Sequence, residues 1–219
     1  PMVIREPMGM WRSSAAQHSQ SLESWYAHIP GLVVAVPSTP ADNRGLFKTA
    51  IRSDDPVVYF EHKNIWGYEG DVPEDEVLIP FGKGRLERKG DDLTIVSWSA
   101  QMHIAANAAT LLQAEGISAE LIDLRTLWPW DKQMVFDSVE KTGRLLITHE
   151  SVSVGGFGAE IAATVSEQLF SVLKAPITRC AAPRVPISYA PPLEDKIRVS
   201  SEQIVEAARK LVEASSGKK

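Results

Sequence analysis

Short runs of apolar residues alternate with longer segments of helical period along almost the whole chain. The runs are rich in Val and Ile, as expected for strands that are buried on both faces. Such alternation predicts an α/β fold in which helices cover parallel sheets. The predicted strands are Met2 to Arg5, Leu32 to Val36, Val57 to Glu61, Leu93 to Ser97, Ala119 to Leu124, Leu145 to Thr148 and Ile177 to Cys180.

Helices are predicted between these strands, and their ends carry recognisable signals. Thr39 followed by Pro40 predicts an N-cap with proline in the first turn, and Ser200 with Gln203 has capping-box spacing. Glycines after several of the helices suit the left-handed conformation of a C-cap. The predicted helices run from Ala15 to His28, Pro40 to Arg52, Gln101 to a stop at Gly116, Asp131 to a stop at Gly143, Gly158 to Leu173, and Ser201 to Ala214.

The alternation is interrupted at residues 64–90, where glycine, proline and acidic residues are concentrated. That composition does not sustain a buried helix, so we expect a linker between a first domain at 1–63 and a second domain at 91–219. The second domain has the elements of a complete doubly wound fold. The first has three strands and two helices, which leave sheet edges open. We therefore expect more protein beside it, either chain preceding Pro1 or another subunit.

Composition and charge exclude several classes of function. The chain has 44% hydrophobic residues, 23% charged residues and a net charge of -5, without a basic face for nucleic acid. No apolar run approaches the ~20 residues that cross a membrane, and we expect no secretory signal. The single cysteine, Cys180, excludes disulfides within the chain and favours a reducing, cytoplasm-like compartment. Its place in a predicted strand indicates a buried, inert thiol.

Candidate chemistry collects at the carboxyl ends of the predicted strands, where open α/β sheets bind ligands. His149 and Glu150 could form an acid–base pair, but adjacent strand residues point to opposite faces, which favours structural roles. The segment Gly155 to Gly158 lacks the third glycine of a dinucleotide fingerprint and predicts tight packing of a helix on a strand. His18 is predicted near a helix start, where a neutral imidazole with a structural hydrogen bond is favoured. No GxSxG elbow, Walker loop, HExxH motif or EF-hand loop occurs.

Five motifs, in the same order as in one enzyme family, run along nearly the whole chain. They are Ala16-Gln17-His18-Ser19-Gln20, Pro30-Gly31-Leu32 through Pro37-Ser38-Thr39-Pro40, Ala50-Ile51-Arg52, Ile122-Asp123-Leu124-Arg125-Thr126-Leu127 followed by Pro129, and Gly155-Gly156-Phe157-Gly158-Ala159-Glu160-Ile161. With these motifs the chain resembles the beta subunit of the thiamine-diphosphate-dependent decarboxylating component of 2-oxo acid dehydrogenase complexes. Its relatives include the pyruvate, branched-chain 2-oxo acid and acetoin dehydrogenases and, more distantly, transketolase.

The resemblance implies a fold, an activity and an assembly. The fold is part of a pyrimidine-type thiamine-diphosphate-binding domain followed by a transketolase C-terminal-like domain. The activity is oxidative decarboxylation of a 2-oxo acid and transfer of the acyl group to a lipoyl acyltransferase. Two alpha and two beta subunits would share thiamine diphosphate and Mg²⁺, in the cytoplasm or, in a eukaryote, the mitochondrial matrix. The alternatives are a non-catalytic assembly module, an acetoin dehydrogenase subunit or a transketolase-like subunit.

The resemblance also implies roles for particular residues. It assigns His18 to the active site, as a group that donates or relays a proton during acyl transfer, which reverses the structural expectation above. A monovalent cation, K⁺, would be held by backbone carbonyls at Ala50 and Ile51 and by the polar residue Asp55. The carboxylate that protonates the aminopyrimidine is expected upstream of Pro1.

One residue departs from the pattern of these relatives. Arg184, in Pro183-Arg184-Val185-Pro186, stands where many of them carry an aspartate. In those relatives the aspartate belongs to the surface that meets a basic domain of the acyltransferase. An arginine inverts the charge there, so we expect either a changed partner surface or weakened docking. A solvated surface arginine is the structural alternative.

Overall fold

A computed structural model describes residues 1–216 and contains nine strands and eight α-helices in that range. The strands are β1 (Met2–Met8), β2 (Val33–Ala35), β3 (Pro56–His62), β4 (Arg85–Arg88), β5 (Leu93–Ser97), β6 (Ala119–Asp123), β7 (Thr126–Trp128), β8 (Leu145–Val152) and β9 (Thr178–Ala182). The helices are α1 (Ala15–His18), α2 (Glu23–Ala27), α3 (Pro40–Arg52), α4 (Gln101–Ala114), α5 (Lys132–Thr142), α6 (Phe157–Leu169), α7 (Pro191–Ile197) and α8 (Ser201–Ser216). Short 3-10 turns lie at Lys63–Ile65 and Phe170–Val172.

The strands form two mixed sheets. The first sheet has the order β1-β3-β2-β7, and β7 alone is antiparallel to its neighbour. The second has the order β4-β6-β5-β8-β9, and there β4 is the antiparallel member. Strands β5 and β6 are buried at every position, as parallel strands covered on both faces must be. The predicted α/β fold class is confirmed.

Two of the strands were not predicted from the apolar pattern. The strand β4 lies within residues 64–90 and pairs with β6, where Leu86 faces Ile122. The strand β7 follows β6 in the chain but pairs with β2, so it joins the first sheet. Both are three or four residues long and offer almost no apolar run to detect. The division into domains at 1–63 and 91–219, with a linker at 64–90, stays a prediction. The last three residues of the predicted second domain, 217–219, lie outside the described part of the chain.

The continuous helix predicted from Ala15 to His28 is wrong. The chain forms α1 and α2 instead, separated by residues 19–22. The break has a tertiary cause, because the Gln20 carbonyl accepts the Gly9 N–H at 3.1 Å and the Ser21 hydroxyl donates to Glu150 at 3.1 Å. His18 is therefore the last residue of a four-residue helix. The expected influence of a helix start on its imidazole does not apply.

The predicted helix caps are present. The Thr39 hydroxyl accepts the Asp42 N–H at 3.1 Å at the start of α3. At α8 the Ser200 N–H donates to the Gln203 side chain at 2.9 Å, while the Gln203 N–H donates to the Ser200 hydroxyl at 3.3 Å. This reciprocal pair is the capping box that the spacing predicted.

One apolar core is shared by both sheets. Val34, Phe60 and other residues of the first sheet pack in the same buried cluster as Val96 and Ile122 of the second sheet and Trp98, which follows β5. A separate cluster lies between the second sheet and helices α4 and α8. The two sheets are thus joined by packing, and groups from both meet at the strand ends. None of the helices in residues 1–216 is long and apolar enough to cross a membrane.

Candidate functional site

The segment that carries His18 connects β1 to α2, and we call residues Gly9 to Leu22 the β1–α2 loop. The loop leaves the carboxyl end of β1 and closes on itself through the Gly9 N–H, which donates to the Gln20 carbonyl at 3.1 Å. The His18 side chain is exposed on the loop. Its carbonyl oxygen accepts a hydrogen bond from the Lys63 ammonium group.

Glu150, near the end of β8, is the acceptor at the centre of this region. Its Oε1 accepts the Met10 N–H at 2.7 Å and the Ser21 hydroxyl at 3.1 Å. The His62 Nε2 lies 3.0 Å from the same oxygen. The Glu150 side chain is 12% exposed and that of His62 is 2% exposed. We call these four residues the Glu150 clasp.

The ring of His62 is fixed from two further directions. The Asn64 N–H donates to His62 Nδ1 at 3.2 Å, so Nε2 carries the proton that is donated to Glu150. Gly9 lies against the ring with φ of +91°, and a Cβ at this position would be 2.0 Å from His62 Nε2. Only glycine fits this close approach in this backbone conformation.

The partners of Glu150 keep it ionised. Burial alone raises the pKa of the Glu150 carboxyl, but attraction to His62 and the hydrogen bonds from His62 and Met10 outweigh it. The distant charge of Arg198 acts in the same direction. The net pKa lies below the usual range of a glutamate, so the clasp holds a carboxylate.

His149 points away from the clasp, as the alternation along a strand predicts. Its ring stacks on Trp98 with a centroid distance of 5.1 Å, and its Nδ1 contacts the Ser151 hydroxyl at 2.9 Å. Burial lowers the pKa of His149 to about 4, so the ring is neutral. A Cβ at Gly158 would lie 2.6 Å from His149 Nε2, which is the tight helix-to-strand packing expected of the glycine segment.

Glu23 in α2 is a second buried acid close to this region. The Trp98 indole N–H donates to Glu23 Oε1 at 3.2 Å, and Oε2 has no hydrogen-bond partner. Burial raises the pKa of Glu23, in contrast to Glu150. Burial therefore favours the protonated form of Glu23.

A cleft of about 950 Å³ runs beside the β1–α2 loop. Ser21 and Trp25 line one side of it and Glu150 and Val154 another, while Arg184 lies on the loop that follows β9. Arg184 is exposed, so its charge is available to a binding partner.

Charged residues from α3, β4, β6 and the turn before β7 meet at a second place, which we call the ion cluster. Asp42 in α3 is 2% exposed and pairs with Arg125 at 2.7 Å and with Arg85 at 3.2 Å. Asp123 is fully buried, accepts a hydrogen bond from the Ser38 hydroxyl and pairs with Arg85 at 3.2 Å. Burial raises the pKa of Asp123 to about 6, against the lowering effects of Ser38 and Arg85.

The residues predicted to hold a monovalent cation lie around the end of α3. The Ala50 carbonyl accepts the Ser53 N–H at 3.2 Å, and Ile51 in the last turn is 60% exposed. Asp55 is exposed, and its N–H donates to the Ser53 hydroxyl at 3.2 Å. The cation site stays a prediction. Across residues 1–216, no three His, Cys, Asp or Glu side chains are grouped closely enough to hold a metal ion.

Cys180 is partly buried within β9. Burial raises the pKa of its thiol to about 11. The thiol is therefore protonated near neutral pH and is a poor nucleophile, which agrees with the inert role expected of it.

Two family domains match consecutive parts of the chain. The transketolase pyrimidine binding domain matches residues 1–67 and the transketolase C-terminal domain matches residues 82–204. The chain belongs to the transketolase family. The second match covers more than half of the chain, and the two occur in the order expected from the sequence motifs.

Curated relatives narrow the resemblance within this family. The chain is 47% identical over 96% of its length to the beta subunit of acetoin:2,6-dichlorophenolindophenol oxidoreductase from Cupriavidus necator. It is 41% identical over 97% to the 2-oxoisovalerate dehydrogenase beta subunit of Bacillus subtilis, and 42% identical over 97% to the mitochondrial pyruvate dehydrogenase E1 beta subunit of Dictyostelium discoideum. These matches confirm the resemblance to beta subunits. The chain spans 62%, 66% and 61% of these relatives, respectively.

Solved structures support the fold. A structure described as a split gene transketolase, inactive beta4 tetramer, superimposes with a TM-score of 0.81 at 23% identity, covering 97% of this chain and 67% of the other. A transketolase mutant from Pichia stipitis gives a TM-score of 0.64 at 16% identity, covering 93% of this chain and 29% of the other. At these identities the likeness concerns the fold alone.

Proposed function

We propose that the chain acts as the beta subunit of a thiamine-diphosphate-dependent 2-oxo acid dehydrogenase. The observation that carries this proposal is the 41–42% identity to beta subunits of a 2-oxoisovalerate and a pyruvate dehydrogenase over nearly the whole chain. The beta subunit of an acetoin oxidoreductase is 47% identical over a similar length. The enzyme would decarboxylate a 2-oxo acid or a related substrate and pass the acyl group to a lipoyl acyltransferase. An alpha subunit and a second beta subunit would complete the assembly.

The residues present fit one part of the cofactor site. Bound thiamine diphosphate would supply the stabilised carbanion chemistry of decarboxylation. The resemblance to beta subunits assigns Mg²⁺ and the diphosphate to the alpha subunit. Among residues 1–216 no group of three His, Cys, Asp or Glu side chains could hold a metal ion. This chain would contribute the exposed imidazole of His18.

The backbone around His18 is ordered for that role. Lys63 holds the His18 carbonyl, and the base of the loop is closed by the Gly9-to-Gln20 hydrogen bond. Burial lowers the pKa of Lys63, which still donates to the carbonyl. A fixed backbone with a free imidazole is a suitable arrangement for proton relay to a substrate oxygen.

Reconstitution with an alpha subunit tests the proposal. We expect decarboxylation of pyruvate or 2-oxoisovalerate, or cleavage of the carbon–carbon bond of acetoin, each assayed separately with an artificial electron acceptor. We also expect acyl transfer to a lipoyl domain with the preferred substrate. His18→Ala should slow the transfer by about 10²–10⁴-fold, the usual contribution of a positioned acid or base. The matched control is His28→Ala, a change at another exposed histidine. Absence of any activity with all three substrates would favour the assembly-module alternative.

Arg184 bears on the identity of the acyltransferase. Because it is exposed beside the cleft, it would repel a basic docking domain of the type that binds an aspartate in relatives. We expect Arg184→Asp to strengthen binding to the subunit-binding domain of a pyruvate dehydrogenase acyltransferase, and the gain to shrink as salt is raised. Surface plasmon resonance at two ionic strengths measures this. Equal affinity of both variants would remove Arg184 from docking.

A further inference from the structure

A single carboxylate oxygen holds both ends of the β1–α2 loop. Glu150 Oε1 accepts the Met10 N–H near the start of the loop and the Ser21 hydroxyl near its end, at 2.7 and 3.1 Å. The two donors come from opposite ends of the loop and meet at one atom. Glu150 therefore fixes how far apart those ends lie.

The same carboxylate is connected to the part of the loop that carries His18. Its third donor is His62 Nε2, at 3.0 Å. The next residue along the chain, Lys63, donates from its ammonium group to the His18 carbonyl. Glu150 thus holds the ring of His62 while the neighbouring side chain holds the loop at His18.

These contacts join two parts of the fold that are far apart in sequence. Glu150 belongs to the second sheet. The strand β1, which leads into the loop, and the strand β3, which ends at His62, belong to the first sheet. The acceptor is nearly buried, and a buried hydrogen-bonding group that loses its partner is costly. These hydrogen bonds therefore couple the position of the loop to that of β8.

We propose that Glu150 is a positioning residue that sets where His18 stands and so makes the second domain part of the acyl-transfer site. This inference rests on the proposed function, because it takes His18 as the group that serves the transfer. Glu150 itself need not touch the substrate. Its effect on transfer is exerted through the loop.

Hydrogen exchange on the chain itself tests the structural half of the proposal. In Glu150→Gln the amides of residues 10–22 should exchange about tenfold faster or more, because the neutral amide oxygen is a weaker acceptor than the carboxylate oxygen for the donors of Met10, Ser21 and His62. Glu167→Gln, the same change at an exposed position of the same domain, should leave them unchanged. Unchanged exchange of residues 10–22 in a folded Glu150→Gln would overturn the proposal.

A milder variant covers the case in which Glu150→Gln does not fold. Ser21→Ala removes one donor and leaves Glu150, Met10 and His62 in place. We expect faster exchange confined to the end of the loop around residues 19–22. No change in that segment would overturn the proposal.

A double-mutant cycle in the reconstituted enzyme tests the functional half. Glu150→Gln should slow acyl transfer by about 10–100-fold when His18 is present, since small misplacements of a reacting group have effects of this size. In the His18→Ala background, Glu150→Gln should slow acyl transfer by less than about twofold further. The KM for the lipoyl domain should be unchanged in both backgrounds. If the rate losses of Glu150→Gln and His18→Ala multiply in the double variant, Glu150 does not act through His18 and the proposal is overturned. If the unmodified enzyme shows no activity, the proposed function fails, and hydrogen exchange still decides whether Glu150 orders the loop.

Discussion

The Glu150 clasp and the ion cluster each surround a carboxylate near the carboxyl end of a strand in the second sheet, yet the two acids differ in pKa. Burial raises the pKa of Asp123 to about 6, and the Ser38 hydroxyl and Arg85 offset this only partly. At Glu150 burial also raises the pKa, but the interaction with His62 and the hydrogen bonds from His62 and Met10 lower it by more, so the net pKa is lowered. The partners of a buried acid therefore decide its charge, and depth of burial alone does not.

The two regions also differ in what they connect. The ion cluster ties the helix α3 to β4, β6 and the turn before β7 through Arg85 and Arg125. The clasp ties one loop, and through His62 the end of β3, to the end of β8. We therefore expect the ion cluster to govern the free energy of unfolding of the whole chain and the clasp to govern local order.

Removing the acid shared by two arginines should have the largest effect on stability. Asp42→Ala leaves Arg85 and Arg125 without their common partner in a buried setting, and the loss of such a partner costs about 3–5 kcal/mol. Urea unfolding measures the change. Asp71→Ala, at an exposed acid, is the control and should change the free energy of unfolding by less than about 0.5 kcal/mol. A loss below about 1 kcal/mol in Asp42→Ala would mean that the cluster does not hold the sheets together.

The raised pKa of Asp123 predicts a particular dependence of stability on pH. The folded state binds the proton more tightly than the unfolded state, whose carboxyl has the model-peptide value of 3.8. The contribution is therefore fully present below that value and is lost as pH rises through about 6. A difference of about 2 pKa units corresponds to about 3 kcal/mol. Asp123→Asn should remove this slope from unfolding curves measured between about pH 4 and pH 7, and parallel curves for both proteins would contradict the assignment.

A smaller change is expected when the clasp is disturbed from the backbone side. Gly9→Ala places a methyl group against the His62 ring and requires a positive φ that alanine rarely adopts. We expect a loss of about 1–3 kcal/mol in thermal or urea unfolding, together with faster exchange of the loop amides. Gly31→Ala is an informative control, because it has the same φ of +91° but open space around it. Equal losses in the two variants would show that backbone strain accounts for the effect and that contact with His62 does not.

Much of the fold could be predicted because its central strands are continuous apolar runs. The pattern located β5 and β6, which are buried throughout, and the caps of α3 and α8. It missed β4 and β7, which are stabilised by pairing with β6 and β2 rather than by an apolar pattern of their own. The helix expected from Ala15 to His28 failed because contacts with Gly9 and Glu150 outweighed local propensity.

The candidate site was harder to predict, because it too depends on contacts between residues that are distant in the chain. His18 was singled out through its motif, and its loop does lie at the strand ends. Glu150 was considered only beside His149, because its actual partners, Met10, Ser21 and His62, lie 88 to 140 residues away in the chain. A single sequence carries no signal of such pairings. An acidic residue at the end of a buried strand was the one indication available.

Hydrogen-bond partners lower the pKa of Glu150, which holds the loop of His18, whereas burial raises the pKa of Asp123 to about 6. Carboxyl ¹³C chemical shifts followed through a pH titration of the labelled chain test this directly, with Glu150→Gln and Asp123→Asn used for assignment. We expect Asp123 to titrate at a pKa of about 6 and the pKa of Glu150 to lie below the ordinary range of a glutamate. A Glu150 resonance that titrates at or above the pKa of Asp123 would contradict this expectation.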